Sequence, residues 1–345
     1  MGSTLSKKKK QRIIIGILLV FAITLFIPTP YYIYRPGTVE ELASKVTVED
    51  GDKSAEGSLY LTTVLSMRAS NIYYLAYGLL APHTDLRKVK EVRGNMSDEE
   101  YSRLLEHMMN TSQQNAYAAA FQAANEEITI TPKGVFVRQI TETSDAFNKL
   151  EVGDVITQVD EQPVKEATDF IDYLAHKKAG DTIKLTFVRD SSEKTESIKL
   201  IPLENGANSA GVGIVTETKY TVDTARNVNI DAEDIGGPSA GLMFSLEIYN
   251  QLTPGDITKG YEIAGTGTID MNGNVGQIGG IREKITAVDR ADIDIFFCPA
   301  DIGEYDTNEK EVLEKAKEEG YDVTIVPVKT LQEAIDYLQN LPEKK

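Results

Sequence analysis

The 345-residue sequence has no tryptophan, a single cysteine (Cys298) and three histidines (His83, His107 and His176). One thiol excludes an intramolecular disulfide framework and any multi-cysteine metal centre, and the histidines are too few and too scattered for a zinc cluster. No metal site is expected, so the chemistry must come from other side chains. A Gly-x-x-x-x-Gly-Lys-Ser/Thr loop is also missing, which argues against an ATP-driven motor on this chain; no nucleotide and no cofactor are expected. Basic residues are in the minority, 36 Lys and Arg against 53 Asp and Glu for a formal charge of −17. That balance argues against a nucleic-acid partner, because counterion release needs clustered cations. Hydrophobic residues make up 41% of the chain, enough for one large core or two moderate ones.

What positive charge there is gathers at the start: Lys7, Lys8, Lys9, Lys10 and Arg12 stand without an acid among them. Residues 13–34 then carry no charge and are dense in Ile, Leu, Val and Phe through Ile27. At ~1.5 Å per residue a helix of that length spans a ~30 Å hydrocarbon core. The expectation is a single-pass transmembrane anchor at 13–34 behind a cytoplasmic basic tail, residues 1–12, with Tyr31, Tyr32 and Tyr34 in the outer aromatic belt. A cleaved signal peptide is the competing reading, but the small residues of a cleavage site are missing around Pro28-Thr29-Pro30. The catalytic part would then be extracellular, at the plasma membrane.

Residues 35–127 combine a β-rich run, Ser58-Leu59-Tyr60-Leu61-Thr62-Thr63-Val64, with a stretch that reads helical, in which Ser97-Asp98-Glu99-Glu100 is a helix-start signature. Residues 128–204 alternate short strands, polar turns and one helix, as in a small partly open β-barrel. Lys149-Leu150-Glu151-Val152-Gly153-Asp154-Val155-Ile156, followed by Val159-Asp160-Glu161-Gln162-Pro163-Val164, resembles the bacterial PDZ pattern. Such modules bind an extended peptide by adding it to an exposed strand edge. The edge implied by position is the loop 131–134 and its strand: Gly134, Val135, Phe136 and Val137. A rigid spacer with an empty groove is the alternative. Residues 205–345 open with a flexible connection and then alternate strands and helices, giving an α+β domain in which Asn272-Gly273 signals a type I′ hairpin.

Two segments carry the chemistry. In Asp234-Ile235-Gly236-Gly237-Pro238-Ser239-Ala240-Gly241, Ser239 falls at the entrance of an apolar helix, where backbone N–H groups and the helix dipole favour a developing oxyanion. Pro-Ser at a helix start is equally an ordinary cap. The serine needs a base, and a lysine serves if burial makes it neutral. Lys284 in Gly279-Gly280-Ile281-Arg282-Glu283-Lys284-Ile285 starts a helix whose stripe is Ile281, Ile285 and Val288; by itself, a lysine on a solvated helix face is the commoner case.

Together these segments resemble the Ser-Lys active-site pattern of the Lon-type peptidases, and the likeness extends through Ala264-Gly265-Thr266-Gly267 to Cys298-Pro299 and Val326-Pro327-Val328-Lys329. The layout is similar to the membrane-anchored PDZ Lon-like serine peptidases of Gram-positive bacteria, which have no ATPase domain. The resemblance implies Ser239 as nucleophile, Lys284 as general base and Thr266 as the hydroxyl that orients the lysine. It also implies that the strand at 58–64 belongs to the Lon-like fold, with the PDZ module inserted after it. Lon peptidases with an ATPase often carry an acid three residues before the serine; Gly236 stands there, and Asp234 is out of register. Cys298, a lone thiol in an apolar strand, reads as core filler. The implied function is an ATP-independent endopeptidase acting on secreted peptides or exposed segments of exported and membrane proteins. A non-catalytic PDZ tether and a peptide-holding chaperone are the rivals.

Overall fold

The computed structural model describes residues 7–52, 56–203, 210–232 and 235–344. The connection at 205–209 and Asp234 lie outside the described residues. The helices are α1 (Lys7–Thr24), α2 (Ile72–Leu80), α3 (Val89–Arg93), α4 (Asp98–Ala123), α5 (Ala167–Leu174), α6 (Gly241–Leu252), α7 (Ile281–Asp289), α8 (Asn308–Glu319) and α9 (Leu331–Asn340).

A six-stranded sheet organises the half that holds Ser239 and Lys284, in the order Thr324–Val328, Ile295–Pro299, Glu262–Gly265, Ser58–Arg68, Tyr31–Glu41 and Asp85–Lys88. The first four strands pair in parallel; Tyr31–Glu41 runs against them and pairs antiparallel with both of its neighbours, Ser58–Arg68 and Asp85–Lys88. Leu59 registers with Ile263 and Leu61 with Gly265, so a strand from before the PDZ segment is zipped into the middle of a sheet completed after it. Side-chain alternation divides the core. Leu61, Ile263, Ile295 and Phe297 meet α6, α4 and α9 on one face, whereas Ala264, Phe296 and Cys298 meet α7 and α8 on the other. Every residue of α6 is buried, and its polar side chains are buried with partners, Gln251 Nε2 donating to Glu247 Oε1 at 2.6 Å and Ser245 Oγ to the Gly241 carbonyl at 2.9 Å. At the start of α4 the expected cap forms, Ser97 Oγ accepting from Glu100 N at 3.1 Å while the Glu100 carboxylate accepts from Ser97 N at 2.8 Å.

The PDZ sheet runs Ile214–Thr224, Ile128–Ile140, Val155–Val159, Thr182–Arg189, Ser192–Lys199. This corrects the expected ligand edge. Gly134, Val135, Phe136 and Val137 register with Lys219, Thr218, Glu217 and Thr216 on one side, and Val135 and Phe136 with Ile156 and Val155 on the other. The chain's own later strand fills the place assigned to a peptide, and Ile214–Thr224 becomes the outer strand.

The N-terminal segment also departs from expectation. The helix ends at Thr24, before Pro28 and Pro30, and Tyr31–Glu41 is a strand with Ile33 fully buried. Tyr31, Tyr32 and Tyr34 therefore belong to the sheet rather than to the end of a spanning helix. The Tyr-Tyr-Ile-Tyr run is β-prone, and the prolines cannot continue a helix. Among the described residues no helix is long and apolar enough to cross a membrane. The strands Thr268–Ile269 and Val275–Gly276 do pair antiparallel. Their loop is longer than a type I′ turn, however, with Gly273 at φ 81° and the Asp270 carboxylate accepting from Asn272 N and Asn274 N.

Candidate active site

Ser239 sits half-buried in the turn that leads into α6. Its loop is held from two sides. From α4, the Leu105 carbonyl accepts from Gly237 N at 3.2 Å, and Ser112 Oγ donates to the Pro238 carbonyl at 3.1 Å. From the segment after Glu262–Gly265, Gly267 N and Thr266 Oγ1 donate to the Ser239 carbonyl at 2.9 and 3.0 Å. Gly241 has to be glycine for the helix to lie this close: a Cβ there would stand 2.8 Å from Ser112 Oγ, 2.9 Å from Ile269 Cγ2 and 3.1 Å from Ile269 N.

Lys284 approaches from the first turn of α7, whose entry is Gly280 at φ 76°. Ile281, Ile285 and Val288 are buried beside it, and Lys284 itself is 2% exposed. Its Nζ lies 3.1 Å from Ser239 Oγ and donates to the Thr62 carbonyl at 2.7 Å. Burial lowers its pKa from 10.5 to about 7. The arrangement thus brings a hydroxyl within hydrogen-bond reach of an amine whose neutral form burial favours, with a backbone carbonyl fixing the amine from behind. Such a pair can pass the serine proton to nitrogen as the oxygen attacks an electrophile.

Of the residues singled out in the sequence, Ser239 and Lys284 come together. Thr266 does not orient the lysine. Its hydroxyl holds the serine backbone, and the group bonded to Nζ is the Thr62 carbonyl, which no side-chain pattern could have announced. Gly236 is exposed at the rim. Ser112 and Leu105 were also missed, because their contributions are a hydroxyl and a carbonyl two turns apart on α4. Cys298 is fully buried, and its thiol is pushed up to about 12 by burial, with Glu309 and Asp301 adding to it. His107 pairs with Glu217 and stacks on Phe136, while His83 lies by Lys315. Among the described residues no three His, Cys, Asp or Glu are grouped to hold a metal. A cleft of about 600 Å³ opens beside the serine loop, lined by Leu105, Met109, Asn110, Ile230, Ile235 and Gly236 among others.

Comparison with known families places residues 105–200 in the PDZ domain family, a match that begins within α4, and residues 206–340 in the Lon protease (S16) C-terminal proteolytic domain. The Lon protease of Metamycoplasma arthritidis is 30% identical over 159 residues, covering 46% of this chain and 16% of that protein. The Lon protease of Flavobacterium johnsoniae is 28% identical over 171 residues, covering 49% and 20%. The matched region is therefore a fifth or less of the length of these relatives. Among solved structures, the PDZ domain of the SdrC-like protein from Listeria monocytogenes is 32% identical, with a TM-score of 0.24, covering 24% of this chain and 87% of that one. The PDZ domain of the SdrC-like protein from Listeria innocua is 36% identical with a TM-score of 0.23, covering 24% and 93%. This chain carries a PDZ domain and a Lon-type proteolytic domain, and the proteolytic match supports a serine endopeptidase.

Proposed function

We propose that the protein is an ATP-independent serine endopeptidase, anchored by its N-terminal segment to the outer face of the plasma membrane, that cuts secreted peptides or exposed segments of exported and membrane proteins. The observation that carries this reading is the 3.1 Å approach of Lys284 Nζ to Ser239 Oγ in a setting that favours the neutral amine. Ser239 attacks a peptide carbonyl while Lys284 takes its proton. The tetrahedral oxyanion forms at the mouth of α6. The N–H groups of Gly237 and Leu242 are already given to the carbonyls of Leu105 and Gly267, so those of Ser239 and Ala240 are the donors assigned to it. Lys284 then returns the proton to the leaving amine, and water releases the acyl group by the same relay.

An extended or flexible substrate suits a site with no unfolding machine, and the cleft bordered by Leu105, Met109 and Ile235 suits an apolar side chain. The PDZ module recruits the substrate. Its ligand adds to the outer edge of Ile214–Thr224 alongside α5, where Val215 and Ile171 are exposed and Ala167 N donates to Thr218 Oγ1 at 3.0 Å. The basic residues before Ile13 favour a cytoplasmic N-terminus.

A fluorophosphonate probe tests the chemistry. The wild type should gain a covalent adduct on Ser239, and Ser239→Ala should gain none. Lys284→Ala should react far more slowly at pH 7. Labelling at equal rates in wild type and Lys284→Ala would remove the lysine from the mechanism, and a wild type that gains no adduct would leave the tether and chaperone readings standing.

A further inference from the structure

We propose that α2 is an interfacial helix that seats the catalytic domain on the membrane, its tyrosines and leucines lying among the lipid headgroups and upper acyl chains. The inference rests on the reading of α1 as a membrane anchor. Ile72-Tyr73-Tyr74-Leu75-Ala76-Tyr77-Gly78-Leu79-Leu80 contains no charged and no strongly polar residue, yet only Gly78 is buried. Gly78 is the point of contact with the sheet, since a Cβ there would meet Leu86 and Ile33. Most of the helix faces outward, with Leu79 68% and Leu80 85% exposed and the three tyrosines about two-fifths exposed. A helix apolar on all sides belongs in a protein core or in lipid, and this one is not in the core.

Its neighbour identifies the occupant. The rings of Tyr73 and Phe21 lie 5.1 Å apart, and Tyr73 OH shares a 2.7 Å hydrogen bond with Thr24 Oγ1, so α2 abuts the end of α1. The exposed Ile, Leu, Val and Phe side chains of α1 therefore run into the apolar surface of α2. Length supplies the reason for the contact. The uncharged part of α1, residues 13–24, spans about 18 Å, well short of a ~30 Å hydrocarbon core. A short span is accommodated by thinning the bilayer and drawing flanking segments into the interface, and α2 is the flanking segment at that end. Tyrosine, an apolar ring with a polar tip, is suited to this depth. Tyr77 OH accepts from Arg35 Nη1 at 2.9 Å, which puts a cation at the headgroup level.

Depth-resolved fluorescence of the full chain tests this. Cys298, the single native cysteine, is fully buried, so single-cysteine probes can be added at Leu79→Cys and Leu80→Cys, with Ile17→Cys reporting the anchor and Ser191→Cys in a PDZ turn as an aqueous control. Each is labelled with an environment-sensitive dye and reconstituted into phosphatidylcholine and phosphatidylglycerol vesicles. The expected result is a blue shift at positions 79 and 80, with quenching by lipids spin-labelled near the headgroup and little by iodide, while position 191 behaves in the opposite way. If position 17 is lipid-quenched but positions 79 and 80 answer only to iodide, the interfacial helix is refuted and the anchor stands. If position 17 also answers only to iodide, the anchor reading itself fails. A shift at 79 and 80 that grows with protein-to-lipid ratio and resists both quenchers would show another copy of the protein covering α2, and would overturn the proposal.

Discussion

Replacing Lys284 by methionine should inactivate the enzyme and stabilise the fold, by an amount that depends on pH in a way set by the amine's burial. Folding takes Lys284 from an ordinary pKa of 10.5 to about 7. A tenfold change in proton affinity corresponds to ~1.4 kcal/mol, so below pH 7 the buried lysine opposes folding by about 5 kcal/mol. Between pH 7 and 10.5 the unfolded chain holds a proton that the folded chain has released. Raising the pH through that window removes the penalty and makes the wild type more stable, leaving about 2 kcal/mol of opposition at pH 9. Methionine avoids the penalty but leaves the Thr62 carbonyl without its donor, at ~1–3 kcal/mol. Lys284→Met should therefore be about 3 kcal/mol more stable than wild type at pH 6.5 and nearly equal to it at pH 9. Urea melts across this range measure the difference directly. Parallel stability curves for the two proteins would mean that the lysine is not neutral when folded. Catalysis should show the complementary trend, with wild-type kcat/KM rising about tenfold for each pH step below 7 and levelling above it. Lys284→Arg should be inactive throughout, because guanidinium does not give up its proton.

Three further outcomes are expected. Thr266→Val should lower kcat about tenfold through the loosened Ser239 carbonyl while leaving the pH inflection in place; a displaced inflection would restore the hydroxyl as the partner of the lysine. Gly241→Ala should cost about 2 kcal/mol despite alanine's better helix propensity, because its methyl group meets Ser112 and the Ile269 backbone, and a thermal melt that failed to drop would refute the tight packing of α6 on α4. Asp154→Ala should destabilise the PDZ module by about 3 kcal/mol. The fully buried carboxylate takes two hydrogen bonds of 2.7 Å from Arg189, and its removal leaves the guanidinium with only Glu151 and the Lys149 carbonyl; hydrogen exchange of the strand Thr182–Arg189 would report it.

The parts of the fold that could be read in advance have local signatures. Strands such as Thr324–Val328 and helices such as α8 and α9 declare themselves by period and by flanking turns, and Ser97 with Glu100 marks its own cap. The N-terminal strand Tyr31–Glu41 was hidden because its aromatic and aliphatic residues continue the apolar composition of the preceding helix, and only Pro28 and Pro30 mark the break. The PDZ edge was misplaced for a different reason. Whether Val135 to Val137 borders solvent depends on Ile214–Thr224, some 80 residues later, and strand partnership at that separation has no local trace.

The active site divides along the same line. That Ser239 and Lys284 approach one another was legible, because each stands in a particular local setting, a helix mouth for one and an apolar helix face for the other. The groups that position them were not, since Thr62, Leu105 and Gly267 contribute backbone atoms and Ser112 stands among ordinary polar residues of α4. That helix joins both halves of the molecule. Leu105 and Ser112 hold the serine loop, while on the same helix His107 pairs with Glu217 of the outer PDZ strand and Arg103 Nη1 meets Glu151 Oε2 of the PDZ module at 2.7 Å. Glu217 also takes Arg138 at 3.1 Å, and although burial works to raise its pKa, His107 and Arg138 hold the carboxyl below its usual range. Losing Glu217 would leave the buried His107 ring without its hydrogen-bond partner on that strand, so the outer PDZ strand and the helix that fixes the Ser239 loop are bound to one another by more than the chain that connects them.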